Sequence, residues 1–176
     1  MSLIEITEAS HNIILDMRYA TMNNFTGKQI YDCQRCFLWP EALYHLEKAI
    51  DLAAQLGLRF KILDAYRPQY AQERLWQVCP NPDYITPPER GSNHTRGIAV
   101  DLTLITPDGQ ELDMGTAFDS FEPASHHGAI SLSRTAAQNR YTLLGIMMSA
   151  GWDLYPTEWW HYQLFNPHQF DLISSR

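Results

Sequence analysis

Gly97-Ile98-Ala99-Val100-Asp101-Leu102-Thr103-Leu104-Ile105 alternates along its whole length, with Ile98, Val100, Leu102 and Leu104 on one face and Ala99, Asp101 and Thr103 on the other. That period of two defines a strand with one strongly apolar side. Asp101 therefore leaves the apolar face, which singles it out as a side chain with chemistry to do. Upstream, Leu58, Phe60 and Ile62 alternate with Arg59 and Lys61, the pattern of a second, half-buried strand. Before it, Leu43, Leu46, Ile50, Ala53 and Leu56 recur at helical spacing, with Pro40 suited to the first turn and Gly57 to the C-terminal cap. Ile13-Ile14-Leu15 is a short strand-like segment, and Asn23-Asn24-Phe25-Thr26-Gly27 is a turn.

Pro68 opens a second helix running to about Val78, so Arg67 stands where a strand meets a helix. Pro80, Pro82, Pro87, Pro88 and Gly91 make the stretch from Cys79 to Asn93 irregular, and a loop of that length usually covers something functional. Downstream, Pro107-Asp108-Gly109 is a turn and a further loop reaches about Ile130. Ser131 or Ser133 caps a helix carrying Leu143, Leu144, Ile146 and Met147 and ending near Gly151. Two strands, Trp152 to Tyr155 and Glu158 to Phe165, close the chain. Helices separated from a run of strands predict an α+β domain, with a mostly antiparallel central sheet flanked by helices. With no repeat and no linker, the 176 residues form one expected domain, 1–176.

The formal net charge of −7 argues against nucleic acid, whose binding rests on clustered Lys and Arg. No apolar run approaches the roughly 20 residues of a membrane span. The N-terminal residues lack the basic and apolar regions of a secretory signal, and the expectation is a cytoplasmic protein. Cys33, Cys36 and Cys79 are an odd number, against a complete disulfide framework. Cys33-x-x-Cys36 has no second pair and no His at finger spacing, so it carries no expected role. His126-His127 is left unassigned too, because adjacent loop residues rarely aim both rings at one ion.

A catalytic zinc needs three protein ligands of imidazole and carboxylate type, with a position left open. Two segments supply them: Ser92-Asn93-His94-Thr95-Arg96-Gly97-Ile98-Ala99-Val100-Asp101, and Glu158-Trp159-Trp160-His161. Gly97 and Ala99 leave room for a close approach. On a regular strand Glu158 and His161 would face opposite ways, so a twist or bulge is expected at the strand's start. Glu158 would then stand beside the metal, taking a proton from the attacking water and passing it to the leaving amine.

Ser92-x-His94-x-x-Gly97-x-Ala99-x-Asp101 together with Glu158-x-x-His161 resembles the D-Ala-D-Ala dipeptidase family, whose members include the vancomycin-resistance dipeptidases. Three more blocks resemble it in the same order: Leu15 to Thr21 with Asn24 to Gly27, Asp64-Ala65-Tyr66-Arg67-Pro68, and Met114 to Asp119. The resemblance runs from about residue 13 to 165, while the C-terminal end is shorter than the family's. It implies a Hedgehog-like zinc peptidase fold and one Zn²⁺ per chain held by His94, Asp101 and His161. By motif position it makes Glu158 the general acid/base and Arg67 the group that stabilises the oxyanion. Tyr19, Ser92 and Asp119 would bind a small dipeptide, with Asp119 pairing its free amino terminus. The implied reaction is hydrolysis of D-Ala-D-Ala to two D-alanines. Two alternatives stand beside it: a murein D,D-carboxypeptidase acting on longer peptides, and a non-catalytic zinc-binding interaction module.

Overall fold

The computed structural model describes residues 2–32, 34–82 and 84–173. Cys33, one half of the Cys-x-x-Cys pair, lies outside the described residues, and its companion Cys36 is a buried free thiol.

Among the described residues seven strands form two sheets, and a short helix, α1 (Glu8–His11), lies between the first two strands. β1 (Ile4–Ile6) pairs antiparallel with β3 (Cys36–Leu38), a ribbon that the sequence patterns did not disclose. The main sheet has the order β2 (Ile14–Leu15), β4 (Arg59–Asp64), β5 (Ala99–Ile105), β7 (Glu158–Gln163) and β6 (Asp153–Tyr155). It is mixed. β2 runs parallel to β4, whereas β4–β5, β5–β7 and β7–β6 are antiparallel. The α+β class is as expected, but the antiparallel character stops at the β2 edge. There the connection from Leu15 to Arg59 passes through α2 (Pro40–Gln55), long enough to return the chain in the same direction.

α2 and α4 (Arg134–Ala150) pack on one another, α2 against β4 and α4 against β5, β6 and β7. Their buried residues, Leu43, Leu46, Ala49 and Ala53 of α2 with Leu143, Met147 and Ala150 of α4, join Val100, Leu102 and Tyr162 in one core. Leu56 departs from the helical stripe: it is the C-cap of α2 and 59% exposed, and Gly57 follows in the left-handed conformation. Ser133, rather than Ser131, caps α4 by accepting the Ala136 amide, and Gly151 closes it. α3 (Gln69–Val78) begins after Pro68. Among the described residues no helix is long and apolar enough to cross a membrane.

β5 is buried on both faces, unlike a half-exposed strand. One face meets the helices. The other is roofed by the loops around residues 17–31, 79–97 and 111–127, and it is there that the polar residues collect. Gly97, which leads into β5, has φ 71°, and a Cβ there would lie 2.7 Å from Leu3 and 3.3 Å from the Trp39 amide. That amide donates to the Gly97 carbonyl at 2.8 Å, so the close approach expected at this glycine is made by the chain entering α2.

Candidate active site

The site begins with strand register. Asp64 on β4 stands opposite Asp101 on β5, and Asp101 stands opposite His161 on β7, so three polar residues form a row across three neighbouring strands. A register shift lies between Ile62 and Asp64, just where Asp64 enters the row. His94 comes from the turn before β5, held by the Ser92 hydroxyl, which accepts the His94 amide at 3.2 Å. The Gly97 amide donates back to the His94 carbonyl at 3.0 Å, which tightens the turn.

One nitrogen of each imidazole is already committed. His94 Nδ1 lies 2.7 Å from the Ala65 carbonyl and His161 Nε2 lies 3.1 Å from Gln163 Oε1, so both donate their N–H there. Their other nitrogens then carry lone pairs and face one another at 3.1 Å. Asp101 joins them, with Oδ1 at 3.0 Å from His161 Nδ1 and Oδ2 at 3.4 Å from His94 Nε2. Two lone pairs and a carboxylate converging on one buried point repel unless a proton or a cation lies between them. The three ligand atoms all fall within 4.8 Å of one another, a spacing that could hold a metal ion. Two neutral imidazoles and one carboxylate are donors that suit zinc, and the two orienting carbonyl oxygens complete the outer shell.

Glu158 opens β7 beside a register break between Leu154 and Tyr155 in the β6–β7 pairing. The distortion expected there turns the carboxylate inward, to 3.9 Å from His161 Nδ1. Burial pushes the Glu158 carboxyl up to about 7, His161 opposing and Asp101 and Asp119 reinforcing the rise. Burial also works against charge on Asp101, yet in the metal-free cluster, where a proton stands between them, hydrogen bonds and charge from His94 and His161 hold its carboxyl well below the usual range.

Arg67 is buried and fixed on two sides. Its Nε and Nη2 donate to Asp64 Oδ2 at 3.1 and 2.7 Å, and its Nη1 donates to Gln72 Oε1 at 2.9 Å. Asp64, fully buried, also accepts the Tyr31 hydroxyl and the Ala65 amide. Arg67 lies over the Tyr19 ring at 5.0 Å, and the Tyr19 hydroxyl donates to Asp119 Oδ2 at 2.9 Å. Burial, with Asp101 adding to it, lifts the Asp119 carboxyl to about 8 despite that hydrogen bond.

Tyr19, Arg67, Ser92, His94, Asp101, Asp119, Glu158 and His161, every site residue named from the sequence, line a single cavity of about 100 Å³. The loop from Cys79 to Asn93 does cover it, contributing Pro82, Tyr84, Ile85 and Thr86. Sequence reasoning missed Asp64, Gln72 and Gln163, which orient Arg67 and His161. Asp64 stands inside the Asp64-to-Pro68 block, a signal present but unused; Gln163, two residues after His161 on the same face of β7, carried a weaker one, and Gln72 belongs to no motif. His126 and His127 stay outside the cluster.

Comparison with known proteins gives the family of the chain. A family profile described as D-ala-D-ala dipeptidase, Peptidase_M15, matches residues 1–173. The chain is similar to the D-alanyl-D-alanine dipeptidase of Escherichia coli (strain K12), 40% identical over 174 residues that cover 99% of this chain and 90% of that protein. It is 37% identical over 180 residues to the D-alanyl-D-alanine dipeptidase of Enterococcus faecium, covering 90% and 89%. The protein of that name from Enterococcus faecalis (strain ATCC 700802 / V583) is 34% identical over 182 residues, covering 92% and 90%.

Proposed function

The chain belongs to the D-Ala-D-Ala dipeptidase family of peptidases, and from that membership we propose that it is a zinc metallopeptidase that hydrolyses D-Ala-D-Ala to two D-alanines. The observation that carries the reading is the convergence of His94, Asp101 and His161 on one point, with Glu158 and Arg67 lining the same small cavity. On this reading the whole chain, 1–176, is one catalytic domain of the Hedgehog-like peptidase type. The odd number of cysteines, Cys33, Cys36 and Cys79, fits a reducing compartment, and the cytoplasm is the proposed place of work.

His94 Nε2, one Asp101 oxygen and His161 Nδ1 would hold one zinc ion per chain. When bound, zinc supplies Lewis acidity at this point, polarising a carbonyl and lowering the pKa of water. Glu158 takes the proton of the attacking water on its carboxylate and delivers it to the leaving amine. Its carboxyl, lifted toward neutrality, suits both halves of that transfer. Arg67 places a fixed cation where the oxyanion develops, and Asp64 and Gln72 hold that cation still. Asp119 pairs with the ammonium of the dipeptide, Tyr19 steadies Asp119, and the Ser92 hydroxyl, already accepting an amide, keeps its own proton to donate into the cavity. A carboxylate enclosed in this way rewards a free amine and penalises its absence.

Zinc-loaded protein given D-Ala-D-Ala should release D-alanine, and Glu158→Ala should keep its metal and lose roughly 10²–10⁴ in kcat. An unchanged rate in that variant removes Glu158 from the mechanism. N-acetyl-D-Ala-D-Ala is the companion substrate: turnover equal to the free dipeptide would make the protein a carboxypeptidase that does not read the amine. Bound zinc with no peptidase activity on either would make it a binding module.

A further inference from the structure

Three aromatic rings from three different loops meet at one end of the cavity. Phe25 belongs to the Asn23–Gly27 turn, Tyr84 to the proline-rich loop, and Phe121 lies two residues beyond Asp119. Phe121 packs against Phe25 edge-on, with centroids 5.3 Å apart, and against Tyr84 at 4.3 Å with only 30° between the planes. Phe25 in turn stands edge-on to Tyr19 at 6.3 Å, and Tyr19 is the residue bonded to Asp119. All three rings line the cavity, yet Tyr84 is 43% and Phe121 37% exposed. Two of the three rings thus border the cavity while staying partly open to solvent.

Resting on the dipeptidase reading above, we propose that Phe25, Tyr84 and Phe121 form a size gate at the amine end of the pocket that limits the substrate to two residues. Asp119 and the rings discriminate by different physics. Asp119 reads charge, and any substrate whose first amine is acylated leaves it unpaired, however small the acyl group. The rings read length, because a third residue attached to that amine would have to occupy the space where Phe121 contacts its two neighbours. Edge-to-face and tilted contacts of this kind hold the rings in place. The gate is therefore separable from charge recognition.

The experiment compares N-formyl-D-Ala-D-Ala with Gly-D-Ala-D-Ala. Both remove the ammonium from the Asp119 position, but only the second adds a residue. For zinc-loaded wild type, Phe121→Ala, Tyr84→Ala and Tyr84→Phe, kcat/KM is measured by D-alanine release. Association constants for the same two ligands are measured by calorimetry with each substitution placed in a Glu158→Gln background. The ratio of tripeptide to formyl-dipeptide should rise at least tenfold in either alanine variant, and Tyr84→Phe, which keeps the ring, should retain the wild-type ratio. The two alanine substitutions lie on different loops, so a folding defect in one leaves the other to decide. Ratios unchanged in both alanine variants overturn the gate. If wild type cleaves no D-Ala-D-Ala, the reaction assigned above fails instead, and the binding ratios still decide the gate by the same criterion.

Discussion

Asp119 is one of three non-glycine residues with positive φ among those described, at 60°, and this places its carboxylate in the cavity rather than along the loop. Burial there, reinforced by Asp101, lifts its carboxyl from 3.8 to about 8 against the Tyr19 hydrogen bond, so the folded state prefers the neutral acid. The sign of the consequence is fixed by linkage: between those two values the unfolded chain has released a proton that the folded chain still holds. In the metal-free protein this contribution to stability is complete below pH 3.8 and lost progressively up to about pH 8. Asp119→Asn should flatten that decline, as read from thermal unfolding between pH 4 and 9. A slope unchanged by the substitution removes Asp119 as its source. The same change should lower kcat/KM for D-Ala-D-Ala by on the order of 10²-fold, because the substrate ammonium loses its buried partner.

At the level of elements, α3 and the proline-rich loop meet through Gln72. Its side-chain oxygen accepts Arg67 Nη1 and its amide nitrogen donates to the Thr86 carbonyl at 2.6 Å, so one amide ties the guanidinium to the cavity wall. Gln72→Leu should cost about 10- to 100-fold in kcat, the range expected from a hydrogen bond to a charged group. The double variant with Arg67→Ala should be no slower than Arg67→Ala alone, and additive losses would show that Gln72 acts elsewhere. Gln72 also marks how far the sequence could be read. β5, α2 and α4 announced themselves because period and caps are local properties, and the ligand motifs because His94 and Asp101 are seven residues apart. The β1–β3 ribbon did not, since neither of its three-residue strands is long enough to show alternation. The parallel β2–β4 pairing was equally hidden, because direction depends on the connection and not on either strand. Gln72 and Gln163 stand only five and two residues from the side chains they hold, Arg67 and His161, but a glutamine at that spacing is no different in sequence from a surface one, and only the folded chain shows the contact.

Across the whole molecule, the two segments proposed to hold the metal meet only on folding, so a bound ion should stabilise the assembly as a ligand of the native state. At a free zinc concentration 100 times its dissociation constant the gain is about 2.7 kcal/mol, and a chelator should lower the unfolding midpoint accordingly. A midpoint indifferent to chelator and to added zinc would show that the cluster holds no ion. The Asp64, Asp101, His161 row carries a further consequence. Side chains alternate along a strand, so sliding β7 past β5 by a single position would send His161 toward α4 and bring an apolar tryptophan or tyrosine into its place. Such a misthreaded chain would keep nearly all its backbone pairing and remain compact, yet turn over nothing. Specific activity at saturating zinc thus reads alignment that circular dichroism overlooks, and full secondary structure with fractional turnover after refolding is the expected mark of strands paired one step out.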